Sequence, residues 1–372
     1  MSVLQFLTTV HFGNGERRQL PKLLADAGVR SPLFVTDRGV IRAGVFQQAI
    51  EALGQDAARL PVFDDVPVNP TEAAAAAGAA RYRETGCDGV VGIGGGAALD
   101  LAKAIAVLAT HAPPLWNYCN RHAQPAPIDR APPLILLPTT AGTGSEVGRS
   151  AVIVFDNGVK AGVRCPDLVT AAICDPELTY RLPAAITAST GMDALAHCIE
   201  TYCSPVVNPP ADAISLDGMQ RIFAHLRRAV ADGSDADARW HMLMGSLEGA
   251  ISFQKGMGAV HALSHPLGAR GFHHGTLNAI LLPHVLDCNR EALGSKWAAI
   301  AHQAGWPVGT DVADGLRRLI ADIGIAPQLR DMGVAEADLP AVAQEALQDN
   351  AHHTNPMTLD AADYLRILQA AW

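Results

Sequence analysis

Between Ser31 and about Asp175, short apolar runs alternate with Ala-rich stretches of helical period. Residues 32–36, 59–63, 89–93 and 134–137 read as strands, and 44–53, 71–84 and 98–109 as the helices between them. Strand and helix in alternation predict a parallel sheet with helices on both faces. The pattern changes after Asp175-Pro176-Glu177-Leu178, where Leu182-Pro183 opens long amphipathic segments with few β-branched clusters. That half reads as helical. The expected organisation is an α/β domain over residues 1–180 followed by an all-α domain over 181–372.

Composition agrees. The chain has 372 residues, 49% hydrophobic and 17% charged, enough for two cores and too apolar for a disordered chain. It has no apolar run of about 18 residues, so no spanning helix is expected. Against 37 Asp and Glu stand 28 Lys and Arg, a formal charge of −9 that repels phosphate backbones and excludes nucleic acid as an expected partner. The opening MSVLQFLTTVHFGNG lacks a basic segment leading into an apolar core and a cleavage site, so a cytoplasmic location is expected. Seven cysteines without CxxC spacing argue against disulfides and a thiolate zinc site.

Two clusters of glycine and hydroxyl residues carry the first chemistry. Gly94-Gly95-Gly96-Ala97-Ala98 follows an apolar strand and opens a helix, where glycines admit a pyrophosphate to backbone N–H groups. Pro138-Thr139-Thr140-Ala141-Gly142-Thr143-Gly144-Ser145-Glu146 follows another strand, and ligands of doubly wound sheets bind at such carboxyl ends. Asp37, ending a third strand, is placed to accept from an adenosine ribose and to repel a 2′-phosphate, which favours NAD over NADP. An ordinary Rossmann unit puts that acid about 20 residues after its glycines. Here it precedes them, so the strand arrangement must differ.

The second chemistry lies in the helical half. Asp193 and His197 are four apart, as are His261 and His265, and His273-His274 follows. Imidazole and carboxylate without thiolate suit Fe(II), Zn(II) or a similar divalent ion. Such an ion acidifies an alcohol and polarises the corresponding carbonyl, while a nicotinamide takes or gives the hydride. A dinucleotide half and a metal half together predict a metal-assisted dehydrogenase with its site between the two.

These residues resemble the iron-containing (group III) alcohol dehydrogenase family, and the likeness runs from end to end. It is carried by GGGAALDLAK at 94–103, PTTAGTGSEV at 138–147, DPELT at 175–179, GMDALAHCIE at 191–200, HALSHPLGA at 261–269 and HHGTLNAILLP at 273–283. The resemblance implies the dehydroquinate synthase-like fold, an N-terminal dinucleotide-binding α/β domain and an all-α metal-binding domain. It implies Asp193, His197, His261 and His274 as metal ligands and His265 as a proton-transfer residue beside the substrate. Spacing alone leaves His261 and His265 undivided. Around NAD it implies Asp37, Asn69, Gly95, Gly96, Thr139, Thr140 and Lys160. Ala97 departs from the family's usual serine and removes one possible phosphate contact.

Within the family, Asn69-Pro-Thr-Glu72, the stretch 203–212, Phe253-Gln-Lys-Gly256 and His273-His-Gly-Thr-Leu-Asn278 resemble the 4-hydroxybutyrate dehydrogenases. This implies a short hydroxy acid or its semialdehyde as substrate, and a homodimer or higher homo-oligomer. A substrate carboxylate needs a cationic partner once desolvated, for which Arg270 and Lys255 are the candidates, Arg270 first for its paired donors. The competing readings are a maleylacetate-type reductase, a general short-chain alcohol or diol dehydrogenase, a sugar-phosphate cyclase on the same scaffold, and a silent binding protein.

Overall fold

The computed structural model describes residues 8–54, 59–165 and 167–372. The chain packs as two units. One runs from the described N-terminus to Thr140 and from Gly144 to Arg181, and the other comprises Ala141–Thr143 and Leu182–Trp372.

The first unit is built on a parallel sheet of β1 (Val10–Phe12), β2 (Pro32–Val35), β3 (Val62–Phe63), β4 (Gly89–Gly94), β5 (Leu134–Pro138) and β8 (Ala171–Cys174), in the order β1-β8-β5-β4-β2-β3. Every residue of β2, β4, β5 and β8 is buried, which is why they read as continuous apolar runs rather than alternating ones. Each large aliphatic side chain so buried is worth about 1.5–3 kcal/mol. A separate antiparallel pair, β6 (Ser150–Val154) and β7 (Lys160–Arg164), alternates buried and partly exposed positions along β6. Helices α1 (Leu20–Asp26), α2 (Arg38–Arg42), α3 (Val45–Ile50), α4 (Glu72–Glu84) and α5 (Gly96–Thr110) complete the unit. Strands β1, β6, β7 and β8 were not among the runs singled out from periodicity, being short or flanked by polar residues.

The strand order explains the misplaced acid. The chain steps outward from β2 to β3, returns to β4 on the other side of β2, and continues to β5. Strands β2 and β4 therefore lie side by side where the winding reverses, the position at which such sheets bind ligands. Their carboxyl ends carry Asp37 and Gly94.

The seam between first and last strands is fastened by Arg17. Strand β1 pairs with β8 in the register Val10 with Ala172, and the buried Arg17 guanidinium meets Asp175 at 2.9 Å and Glu177 at 2.5 Å. Burial opposes the Arg17 charge, and the two carboxylates more than offset it and raise its pKa.

The second unit is helical: α6 (Ala184–Cys203), α7 (Pro209–Ala231), α8 (Ala236–Ser252), α9 (Ala259–Ala269), α10 (His274–Leu293), α11 (Ser295–Gln303), α12 (Val312–Asp322), α13 (Leu339–Ala346) and α14 (Ala361–Ala371). Side-chain caps set several starts, with Asn208 accepting from Ala211 N–H, Asp235 from Ala238, Asp311 from Asp314 and Asp360 from Asp363. Helix α6 packs against α7, α8 and α10. Cys198 on α6 is fully buried between Gly218 and Gly249, a core residue. All seven cysteines are free thiols. Among the described residues no helix is long and apolar enough to cross a membrane. The observed fold is the expected one, a parallel-sheet unit followed by a helical one.

Candidate active site

Three helices converge on one carboxylate. Asp193, His197 and Glu200 fall at positions i, i+4 and i+7 of α6, on one face. Helix α9 contributes His261 and His265, and α10 begins at His274. The Nε2 atoms of His197, His261 and His274 lie 3.8, 3.8 and 3.6 Å from Asp193 Oδ1. Donor atoms of Asp193, His261 and His274 are all within 4.8 Å of one another, and His197 stands outside that mutual set while sharing the Asp193 oxygen. His273 instead caps α10, its Nδ1 facing the Thr276 N–H. That division of labour between adjacent histidines was not legible from spacing.

The cluster is arranged to hold positive charge. Asp193, His197 and His261 are all but inaccessible to solvent. Burial pushes Asp193 upward, yet the surrounding imidazoles hold its carboxyl far below the usual range. Burial takes His197 down to about 4 despite Asp193. His261 is lowered by burial but lifted more strongly by Asp193 and Glu200, to about 9.

The donor set fits a divalent ion. Atoms bonded at about 2.1 Å to a common tetrahedral ion stand about 3.4 Å apart, close to the spacings here, which are too long for hydrogen bonds. Asn278 on α10 points its amide nitrogen into the same space, donating to Asp193 Oδ1 at 2.6 Å and lying 3.2 and 3.1 Å from Nε2 of His261 and His274. Its buried Oδ1 has no partner. One carboxylate, three imidazoles and no thiolate suit Fe(II) or Zn(II).

Carboxylates behind the imidazoles orient them. Glu200 is buried, its Oε2 accepting from His261 Nδ1 at 2.6 Å and its Oε1 from the Val260 N–H at 2.7 Å. This fixes His261 with Nε2 toward Asp193. Gly258 admits the carboxylate, because a Cβ there would lie 2.8 Å from Glu200 Oε1. His265 is partly exposed, stacks on His274 with centroids 5.5 Å apart, and directs Nδ1 to Asp349 Oδ2 at 2.8 Å. Neither Glu200 nor Asp349 was singled out from sequence. The spacing Asp193, His197, Glu200 along one helix face was a usable signal for the first, whereas nothing local marks the second.

Arg270 and Lys255, the two cations expected to face a substrate carboxylate, each meet an acid of the chain itself. Both terminal nitrogens of Arg270 are taken by Glu345, at 2.7 and 2.8 Å, and Nη1 also donates to the Pro266 carbonyl. Lys255 is buried, paired with Asp212 and donating to the Tyr202 carbonyl. The pattern of charges in sequence showed the cations but not the distant acids that neutralise them.

In the α/β unit, α5 starts at Gly96 with Gly95 at its cap, which brings no side-chain acceptor to the helix start, a helix N-terminus of the kind that receives phosphate. Gly94 has φ 155°, and a Cβ there would sit 2.7 Å from that of Ala98 and 3.6 Å from Asp37 Oδ2. The glycine turn and the acid are thus neighbours in space. Asp37 also caps α2, accepting from Val40 N–H at 2.9 Å through Oδ1. Thr139 N–H donates to the Gly94 carbonyl, and Thr140 faces Gly95. Lys160 donates to Asn69 Oδ1 at 2.9 Å, joining two residues 91 positions apart.

A buried lysine underpins this surface. Lys103 on α5 is fully buried and donates to the carbonyls of Ser145, Gly148 and Ser150 and to Ser145 Oγ, while Ser145 Oγ donates to Asp100. It ties the loop after β5 to the helix whose N-terminus faces the glycine turn. Asp100 and Lys103 stood in the motif GGGAALDLAK without a role.

Comparison with known proteins follows the same division. The family described as "Iron-containing alcohol dehydrogenase" matches residues 8–176, and "Fe-containing alcohol dehydrogenase family, C-terminal" matches 187–372. The chain is 47% identical over 381 aligned positions to the 4-hydroxybutyrate dehydrogenase of Cupriavidus necator, covering 99% of each. A solved 1,3-propanediol oxidoreductase superposes with a TM-score of 0.92 at 34% identity, covering 100% of both chains. The sulfoacetaldehyde reductase from Bifidobacterium kashiwanohense in complex with NAD+ superposes with a TM-score of 0.89 at 28% identity, covering 100% of this chain and 98% of the other.

Proposed function

The chain belongs to the iron-containing alcohol dehydrogenase family, and on that premise we propose that it interconverts a short ω-hydroxy acid and its semialdehyde, of the 4-hydroxybutyrate and succinic semialdehyde type, with NAD. The observation that carries the metal half of this reading is the convergence of three imidazole nitrogens within 3.8 Å of one Asp193 oxygen. Asp193, His197, His261 and His274 are assigned to the ion, Fe(II) first and Zn(II) second. When bound, the ion supplies a Lewis acid for the alcohol or carbonyl oxygen, and the nicotinamide takes or gives the hydride.

The chain's own residues supply the remainder. Glu200 keeps His261 turned toward the ion site. His265, with Nδ1–H held by Asp349, has Nε2 available to pass the alcohol proton to water during oxidation and to return it during reduction. For the cofactor, residues 1–180 are assigned as the dinucleotide-binding domain and 181–372 as the catalytic one. Gly95, Gly96, Thr139 and Thr140 flank the helix start that receives the pyrophosphate, Asp37 accepts from the ribose, and Asn69 with Lys160 forms the remaining polar contact. The active form is assigned as a homodimer or larger homo-oligomer working in the cytoplasm.

A second reading, a neutral short-chain alcohol or diol as substrate, is favoured by one observation: the two cations considered for a substrate carboxylate are neutralised by Glu345 and Asp212. Purified protein loaded with Fe(II), assayed with NADH on succinic semialdehyde and on butanal, decides between them. A kcat/KM at least tenfold higher on the acid supports the hydroxy-acid reading, and preference for butanal overturns it. Full activity after removal of all metal overturns both and favours a maleylacetate-type reductase.

A further inference from the structure

Helices α7 and α8 carry a second set of imidazoles. His225 on α7 and His241 on α8 stack with ring centroids 4.1 Å apart and planes inclined by 17°. Asp237 lies one turn before His241 on α8. The Nε2 of His225 is 3.7 Å from Asp237 Oδ2, and the Nε2 of His241 is 3.7 Å from Asp237 Oδ1. Donor atoms of the three residues lie within 4.8 Å of one another. These separations exceed hydrogen-bond length and match the 3.6–3.8 Å spacing around Asp193.

The far sides of the rings are already organised. His225 Nδ1 is 2.8 Å from the Arg221 carbonyl, to which it can only donate, leaving an Nε2 lone pair toward Asp237. His241 Nδ1 is 3.0 Å from Arg221 Nη1, from which it accepts, so its ring proton sits on Nε2.

We propose that His225, Asp237 and His241 form a second divalent metal site, taking Zn(II) or an ion of similar borderline softness through two Nε2 atoms and one carboxylate. Binding moves the His241 ring proton from Nε2 to Nδ1 with no net release, and displaces Arg221 Nη1 from His241 Nδ1 and Arg228 Nη1 from Asp237 Oδ2, which it meets at 3.0 Å. Both guanidinium groups keep other partners: Arg221 retains Asp217 at 2.7 Å and Glu248 at 3.3 Å, and Arg228 retains Asp235 at 2.8 Å. Water completes the coordination shell, because Asp237 is exposed. The ion clips α7 to α8, the pair against which α6 packs. It therefore acts as a reversible brace for the helix that carries Asp193 and His197, not as a participant in hydride transfer.

The site is independent of the assignment of the buried cluster, and zinc counting separates the two. Full-length protein is stripped with chelator and dialysed against Zn(II), and bound zinc per chain is measured together with the thermal midpoint. Wild type is expected to bind two equivalents. His241→Ala and Asp237→Asn should each bind one fewer and lose the zinc-induced rise in midpoint, while His197→Ala should lose the buried equivalent and keep the other. If the buried cluster holds nothing, wild type binds one equivalent that still disappears in His241→Ala. Unchanged stoichiometry in both His241→Ala and Asp237→Asn, with native circular dichroism in either, overturns the proposal.

Discussion

Asp349 Oδ2 stands 2.8 Å from Nδ1 of His265, across 84 positions of sequence. Asp349 is held ionised: burial pushes its pKa up, and His265 and the Ala351 N–H pull it below the usual carboxylate value. The pair fixes the tautomer that presents Nε2. His265→Asn should lower kcat about 10²–10⁴-fold, the worth of a general acid or base. Asp349→Asn should lower it about tenfold and displace the pH profile of kcat, with bound iron unchanged in both variants. Iron loss in Asp349→Asn would reduce the residue to a structural support.

Glu200 meets His261 at 2.6 Å and the N-terminus of α9 through its other oxygen. Replacing such an outer carboxylate costs about 10–100-fold in metal affinity. Glu200→Gln, which keeps the volume and one acceptor, is expected to weaken Fe(II) binding within that range while the far-ultraviolet spectrum stays native. Equilibrium dialysis of the variant against wild type measures it.

The proximity of Asp37 to Gly94 predicts cofactor choice. A 2′-phosphate would face the Asp37 carboxylate without a partner, so wild type should prefer NADH over NADPH. Asp37→Gly should narrow that preference at least tenfold, read as the ratio of the two kcat/KM values. The same substitution removes the cap of α2, at a cost of about 1 kcal/mol or less, so a thermal midpoint accompanies the kinetics.

Glu146 predicts a pH dependence of stability. It is 2% exposed, its Oε1 has no partner, and burial raises its pKa from 4.5 to about 7 despite its own backbone N–H and Lys103. The folded chain thus keeps a proton that the unfolded chain releases at lower pH. The resulting penalty on folding grows as pH rises from about 4.5 to 7 and is constant above, reaching about 3 kcal/mol at most. Glu146→Gln should remove that part of the slope and be more stable than wild type at pH 8. Urea denaturation at pH 5 and pH 8 tests this, and equal slopes in the two proteins would refute it.

The parts of this molecule visible in sequence are those governed by local rules. Periodicity marked the buried runs of β2, β4 and β5 and the helices α4 and α5, because parallel strands covered on both faces are apolar throughout. Helical spacing put Asp193 and His197 on one face. The order of Asp37 and the glycines showed that the strand arrangement was unusual, and the adjacency of β2 and β4 supplies the reason. What stayed hidden were long-range partners. Asp349 for His265, Glu345 for Arg270 and Asp212 for Lys255 lie 84, 75 and 43 positions from the groups they meet. A sequence displays the ionisable group at each position but not the acid that reaches it from another helix, so two cations that looked available are already spent on neighbours.

The pairing of β1 with β8 also constrains how the chain is made. Val10 finds its partner Ala172 only after some 160 further residues have been synthesised, a delay on the order of ten seconds at ordinary translation rates. During that time the sheet edge that β8 will occupy is open, and the first strand has no ladder to join. The nascent chain therefore carries an unpaired strand at one end and an unfilled edge at the other until Arg17 can reach Asp175 and Glu177. Chaperone capture or pairing between chains would have its opening in that interval.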